Sequence, residues 1–299
     1  MATTSSGVDK LYSDINADLI PYFMDAVLLP NQSIIRNTMS VAGTTGDTVK
    51  YPLTNSYTPA GDVAEGGLIN AVSSDFTPTS VSIAAQKRGV ATDVHEEALE
   101  DGGFDVVRSA VLNRLAGGLA EATDVAGLLV AGSGATLTDT GAGSTANTHT
   151  ANLVMSPDAM GYMEKRQPGV KVWYNPNKDL HEFRGTVRNG FAALRGNFIN
   201  VVTSNSTIGS ADADLSSIAK AVAQLRGQNA PTDLVSGQYV SIIDPALEFD
   251  INSTLALAGG NAIGSLSDVG NRALLQGLIG QAAGVMFFRS NNLPDASQI

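Results

Sequence analysis

The strongest periodicity in the chain lies between residues 104 and 129. Phe104, Val107, Val111, Leu115, Leu119, Ala122, Ala126 and Leu129 recur at steps of three or four, which predicts one continuous amphipathic helix of about 25 residues. That is roughly twice the usual length. Asp105, Arg108, Asn113, Glu121 and Asp124 are expected on its solvated face, and Gly132-Ser133-Gly134 at its end. Gly117-Gly118 would weaken an isolated helix by about 1 kcal/mol each relative to Ala, and leaves room for a close neighbour. A second helical stripe, Leu215, Ile218, Ala219, Val222 and Leu225, starts near Ser210 or Asp212 and is stopped by Gly227 and Pro231.

Elsewhere the period is two. Gly46-Asp47 signals a turn, and Thr48 to Leu53 alternates as a strand, with Pro52 marking it as an edge. Thr79, Val81 and Ile83 form a further strand leading through Lys87-Arg88 into a third, Gly89 to Val94. The first ~20 residues are polar and Ser/Thr-rich, followed by Leu19, Ile20, Tyr22, Phe23, Ala26, Val27 and Leu28 up to Pro30, an arm that docks on something. Residues 54–80 are too long for a bland connection, because structureless loops beyond ~12–15 residues are uncommon in compact domains, and a projecting hairpin fits them. Residues 132–151 are Gly/Ser/Thr/Ala-rich and read as a connection at a soft domain boundary. Beyond it, 153–205 and 240–291 share a plan: an apolar strand, an Asp/Pro turn, an amphipathic helix, then an apolar strand ending in Ser-Asn. Strands and helices mix without regular alternation, so the fold class is α+β.

Composition narrows the function. The 299 residues suffice for about two domains, and 43% hydrophobic against 16% charged residues excludes a highly charged disordered chain. A formal net charge of −11 disfavours sequence-reading nucleic-acid binders. The absence of Cys removes disulfides, thiolate nucleophiles and Cys-type metal sites. The amino terminus has no secretory pattern and no stretch approaches the ~20 apolar residues of a membrane span, so no membrane role is expected.

Catalytic signatures are sparse. His95-Glu96-Glu97 begins like a zinc-protease helix, yet position 99 is Leu99 where the second His would stand. His149 and His181 are distant in sequence, and no Gly-x-Ser-x-Gly elbow accompanies them. The glycine-rich runs near Gly132, Gly141 and Gly259 lack a phosphate-cradle signature. Glu96, Glu97, Glu100 and Asp101 read as a solvated helix face rather than a cation site, and Asp212 and Asp214 as helix-capping carboxylates. No catalytic, cofactor or metal residues are assigned. In 163–184, Lys165, Arg166, Lys171, Lys178 and Arg184 interleave with Trp173, Tyr174, His181 and Phe183. That mixture suits stacking on single-stranded nucleic acid, and it suits a protein interface, which is the favoured reading.

The order of these segments resembles a family, the major capsid proteins of tailed bacteriophages with the Hong Kong 97-type fold. The carriers are Gly46 to Leu53, Val63-Ala64-Glu65-Gly66-Gly67, Thr77 to Val81 and Lys87 to Ala91, then Glu96 to Asp101 before the long helix. Tyr239 to Pro245 and the close Arg289-Ser290-Asn291-Asn292-Leu293-Pro294 complete the set. Each is degenerate alone; their order is specific. The resemblance implies an N-terminal arm (1–35), an extended β-hairpin loop with flanking peripheral-domain strands (36–94), and a spine helix with its following loop (95–151). It further implies a part of the axial domain or an insertion (152–208), and a second helix with axial-domain strands (209–299).

It also implies a non-enzymatic shell subunit without cofactors, assembling with itself as hexamers and pentamers around double-stranded DNA, without sequence-specific binding. Scaffolding, portal and cement proteins are further implied partners, and the virion capsid, assembled in the bacterial cytoplasm, is the implied location. Implied inter-subunit contacts are Tyr57, Glu65, Leu68 and Phe76 in the loop, Tyr22 and Phe23 in the arm, and Lys165, Arg166, Trp173, Tyr174 and Arg184 in the basic–aromatic segment. No Lys occurs from Thr54 to Gln86, so crosslinking through a loop lysine is not expected, nor is a fused scaffold ahead of the arm. An encapsulin-like compartment shell and an uncharacterised soluble enzyme or binding protein are the alternatives.

Overall fold

A computed structural model describes residues 4–31, 33–43, 46–53, 79–101, 104–140, 149–209, 213–259 and 281–299. The chain opens with helix α1 (Thr4–Ala26), which begins well ahead of the apolar stretch and carries Pro21 in its interior. Its buried face, Ile15, Leu19 and Phe23, continues to Val27 and packs within the same chain. The partner is the long helix α3 (Phe104–Gly134), reached through the short helix α2 (Glu96–Asp101).

Burial on α3 departs from the expected stripe. Val111, Leu115 and Leu119 are buried as predicted, but the buried positions continue through Thr123, Asp124, Gly127, Leu128 and Ala131, leaving Leu129 39% exposed. A repeat of four winds the buried stripe around a helix of 3.6 residues per turn, so α3 meets α1 on one flank and a sheet on another. Gly127 permits this: a Cβ there would lie 2.3 Å from Leu29 Cδ1 and 3.1 Å from Phe191. By length and composition α3 could cross a membrane, contrary to the sequence expectation, but 56% of its apolar window is buried inside the protein.

The sheet beneath α3 has the order β1-β7-β8-β4, from β1 (Asn37–Ser40), β4 (Gln86–His95), β7 (Met160–Asn175) and β8 (Leu180–Ala193). Strands β7 and β8 form one long hairpin, so the helix expected between the strands of 153–205 is absent and two strands occupy its place. Irregular pairing between Glu164 and Gly169 breaks the alternation there. Inward residues Val94, Val170, Phe183 and Val187 join Val111, Leu115 and Leu119 in one core.

A two-stranded ribbon, β2 (Thr48–Leu53) with β3 (Thr79–Ala84), crosses the far side of this sheet, and Pro52 lies on an edge as expected. Gly190 and Gly161 make the crossing possible, since Cβ atoms there would lie 2.2 Å from Ala84 O and 2.9 Å from Ile83 Cδ1.

The second large sheet is mixed and six-stranded, of order β11-β12-β10-β6-β9-β5. It comprises β5 (Leu137–Thr140), β6 (His149–Met155), β9 (Ile199–Asn205), β10 (Tyr239–Ile243), β11 (Gln281–Ala282) and β12 (Val285–Arg289). Residues 152–208 are therefore divided, their outer strands in this sheet and their hairpin in the first. Helix α4 (Leu215–Gly227) packs through Ile218, Ala221, Val222 and Leu225, and α5 (Pro245–Gly259) through Leu247 and Ile251. The α4 cap is Asp214, whose carboxylate accepts from Ser217 N at 3.0 Å, so the helix starts later than Ser210 or Asp212. Buried Asn152 locks three strands: its Nδ2 donates to Val202 O at 3.2 Å and Ser204 Oγ at 2.7 Å, while its Oδ1 accepts from Asp244 N at 2.8 Å. Mixed helices and sheets make the protein α+β.

Candidate assembly surfaces

The hairpin β7–β8 carries most of the described candidates. Trp173 and Arg184 lie on its outer side, the guanidinium carbon 4.0 Å above the indole ring, while Arg184 Nη2 is 2.8 Å from Glu182. The Asn175 amide and then Arg184 hold the Glu182 carboxyl below its ordinary pKa. Tyr174, one residue on, points to the inner side at the exposed hairpin end, 5.1 Å from the His181 ring. Its hydroxyl donates to Asp179, which raises the phenol's pKa. Phe183 is wholly buried, so the aromatic run splits into an outer Trp173 and an inner core residue.

Lys165 and Arg166 fall in the irregular part of β7. Lys165 folds back to donate to Gly46 O and lies 3.9 Å from Asp47, whereas Arg166 stays exposed and donates to Thr186 Oγ1 at 2.9 Å. Arg188, which sequence reasoning passed over, stands beside them 2.8 Å from Asp47. The alternation Arg184-Thr186-Arg188 was the available signal.

On α1, Tyr22 is 48% exposed and borders a shallow recess with Pro21, Met24 and Asp25. Phe23, expected at a subunit contact, is 1% exposed and fills the core under α1, so it belongs to this chain's own packing. Tyr57, Glu65, Leu68 and Phe76 lie outside the described residues; the ribbon β2–β3 brackets them.

Asp124, expected in solvent, is 3% exposed. Its carboxylate accepts from Leu28 N at 2.9 Å and Leu29 N at 3.0 Å, pinning the chain just after α1 to α3. Burial raises its pKa, and the two backbone donors oppose that shift. A second feature missed in the sequence is the turn holding Leu234 and Val235, 85% and 96% exposed. Asp233 orders it by accepting from Val235 N and Ser236 N at 3.2 and 2.8 Å.

The histidines do not converge: His95 is exposed on β4, His149 buried on β6, and His181 half-buried on β8. Among the described residues no group of three or more His, Asp or Glu is arranged to hold a metal ion.

No family model matches the sequence, and no curated protein does. Solved structures similar to the chain include phage capsids. A chain from the procapsid of bacteriophage JBD30 gives a TM-score of 0.49 at 11% identity, over 95% of this chain and 99% of that one. The bacteriophage JBD30 capsid gives 0.47 at 10% identity, over 86% and 89%. The capsid of cyanophage P-SCSP1u gives 0.45 at 9% identity, over 61% of this chain and 89% of that one.

Proposed function

We propose that this chain is a major capsid protein, a non-enzymatic subunit that assembles with itself, as hexamers and pentamers, into the icosahedral shell around the double-stranded DNA of a tailed phage. The observation that carries this reading is the order of structural parts. An N-terminal helix and a ribbon bracketing residues 54–78 precede a 31-residue helix laid across a four-stranded sheet, and a separate six-stranded sheet completes the chain. These correspond in sequence order to the arm, extended loop, spine helix and axial domain that the resemblance implies.

The physics is consistent with that role. The four-stranded sheet holds the ribbon on one face through the close approaches at Gly190 and Gly161, which fixes where Leu53 and Thr79 stand. A net charge of −11 suits a wall along which packed phosphate slides without being gripped. The virion is the expected location, with assembly in the host cytoplasm. Deleting residues 54–78 and joining the ribbon by a short turn tests the reading: the subunit is expected to fold and to lose shell formation. Normal shells from the deleted chain would overturn the role given to the loop.

A further inference from the structure

Cross-strand register sorts the outward side chains of the four-stranded sheet into rows. Lys87, Arg188 and Arg166 stand side by side on β4, β8 and β7; Gly89, Thr186 and Gly169 follow, then Ala91, Arg184 and Lys171, then Asp93, Glu182 and Trp173. Five of the chain's 18 Lys and Arg thus share three rows, about 13 Å of strand, in a protein of net charge −11. Like charges directly opposite one another destabilise a sheet, and folding alone gives no return for such rows.

Carboxylates of the chain answer only part of this charge. Asp47 takes Arg188 at 2.8 Å and Glu182 takes Arg184 at 2.8 Å. Lys87, Arg166 and Lys171 have no ionic partner among the described residues. Arg188 Nε is buried without a hydrogen-bond partner. Beside the first row an open depression of about 510 Å³ lies between Ser40, Gly43, Glu164, Lys165, Arg166 and Arg188. The seating of Asp47 shows that this face accepts carboxylates.

The matching charge lies at the other end of the same strand. β4 runs straight into α2, whose six residues Glu96–Asp101 hold four carboxylates and no cation, with Glu97 exposed. We infer that the basic rows of one copy receive the acidic α2 helix of a second copy in a head-to-tail contact, a step that rests on the shell reading above. Along β4 the basic rows lie five to nine residues, roughly 16–30 Å, from Glu96, with the row of Asp93 and Glu182 between, and no ion pair joins the two surfaces among the described residues of one chain. Unlike patches pairing between copies make a heterologous interface, the kind that closes into rings. A nucleic-acid backbone fits less well, because Asp93, Glu182 and then α2 place fixed negative charge along its continuation.

Sedimentation of the full chain at low and high salt tests the contact, using E96K/E97K, R166E/K171E and the chain carrying all four substitutions. Each pair is expected to weaken self-association at low salt by about tenfold, the size of a few lost surface ion pairs. The four-substitution chain is expected to recover it, which a folding defect would not. If R166E/K171E does not fold, R166Q/K171Q is expected to give the same weakening. Failure of the four-substitution chain to recover overturns the inference, as does an E96K/E97K chain that associates normally. Duplex DNA that binds the wild type and not R166E/K171E, with association unchanged by either pair, would assign the face to phosphate instead. Salt-sensitive association with recovery, but with no closed shell under any condition, would overturn the function proposed above and keep this contact.

Discussion

A methyl group at Gly190 would probe how the loop-bearing ribbon is seated. Its Cβ would lie 2.2 Å from Ala84 O and 2.9 Å from the Ala84 carbonyl carbon, with Ile83 Cγ2 at 3.3 Å. The obstructing atoms are main chain, so no rotamer change relieves the clash, and β3 must retreat by about 1 Å. Retreat loosens Ile83 from Met163 and Leu194 and strains the Asp47–Arg188 pair at the same end of the ribbon, where Ala85 N donates to Asp47 O. Overpacking of this kind costs about 1–3 kcal/mol, and the main-chain obstruction puts G190A at the upper end. Gly169→Ala is the control: nothing lies within 4 Å of its Cβ, so a change within about 0.5 kcal/mol is expected. Urea unfolding gives the stabilities, and native-state amide exchange across 48–53 and 79–84 reports the ribbon directly. Equal stability of the two variants, with unchanged ribbon exchange in G190A, would refute the seating described here.

Three further outcomes are expected. Asp124→Asn keeps the side-chain shape but presents an amide to two backbone donors, costing about 1–3 kcal/mol in denaturant unfolding. Because burial raises the Asp124 pKa, its folded form binds a proton more tightly than the unfolded chain. The stability of wild type relative to D124N should therefore rise as the pH falls through that raised value toward 3.8, and stay flat beyond. Asp214→Ala should cost about 1 kcal/mol through the lost α4 cap. The Ser216 hydroxyl bond and the Ser217 amide lower the Asp214 pKa, so that stabilisation is present above 3.8 and fades as the pH falls through the depressed value. Trp173, the chain's single tryptophan, is 39% exposed on the face carrying the basic rows, so its emission should shift to the blue on assembly; an unchanged spectrum would remove it from any contact.

The elements legible in the sequence were those whose apolar period is undisturbed: α4, the edge strand with Pro52, and the core of α3. The β7–β8 hairpin was not, because the pairing slips twice between Glu164 and Gly169, which turns Arg166 outward and interrupts the period of two between Tyr162 and Val170, and apolar spacing there passed for helical. Asp124 escaped because a carboxylate among apolar neighbours reads as solvent-facing until two unpaired amides arrive from α1, some 95 residues away in sequence. Phe23 looked like an arm's anchor on another subunit because only the fold brings Leu115 and Leu119 beneath it. The basic rows were half visible: Lys165 to Arg184 stood out as a composition, while the part played by Arg188 and Lys87 depends on register, which no single strand reveals.

The central claim, that this chain builds a shell, is tested most directly by the particle state of the purified full-length protein. Light scattering and negative-stain electron microscopy at neutral pH, alone and with a co-expressed scaffold, should show closed shells or capsomer rings. A well-folded chain that stays monomeric with every scaffold supplied would contradict it.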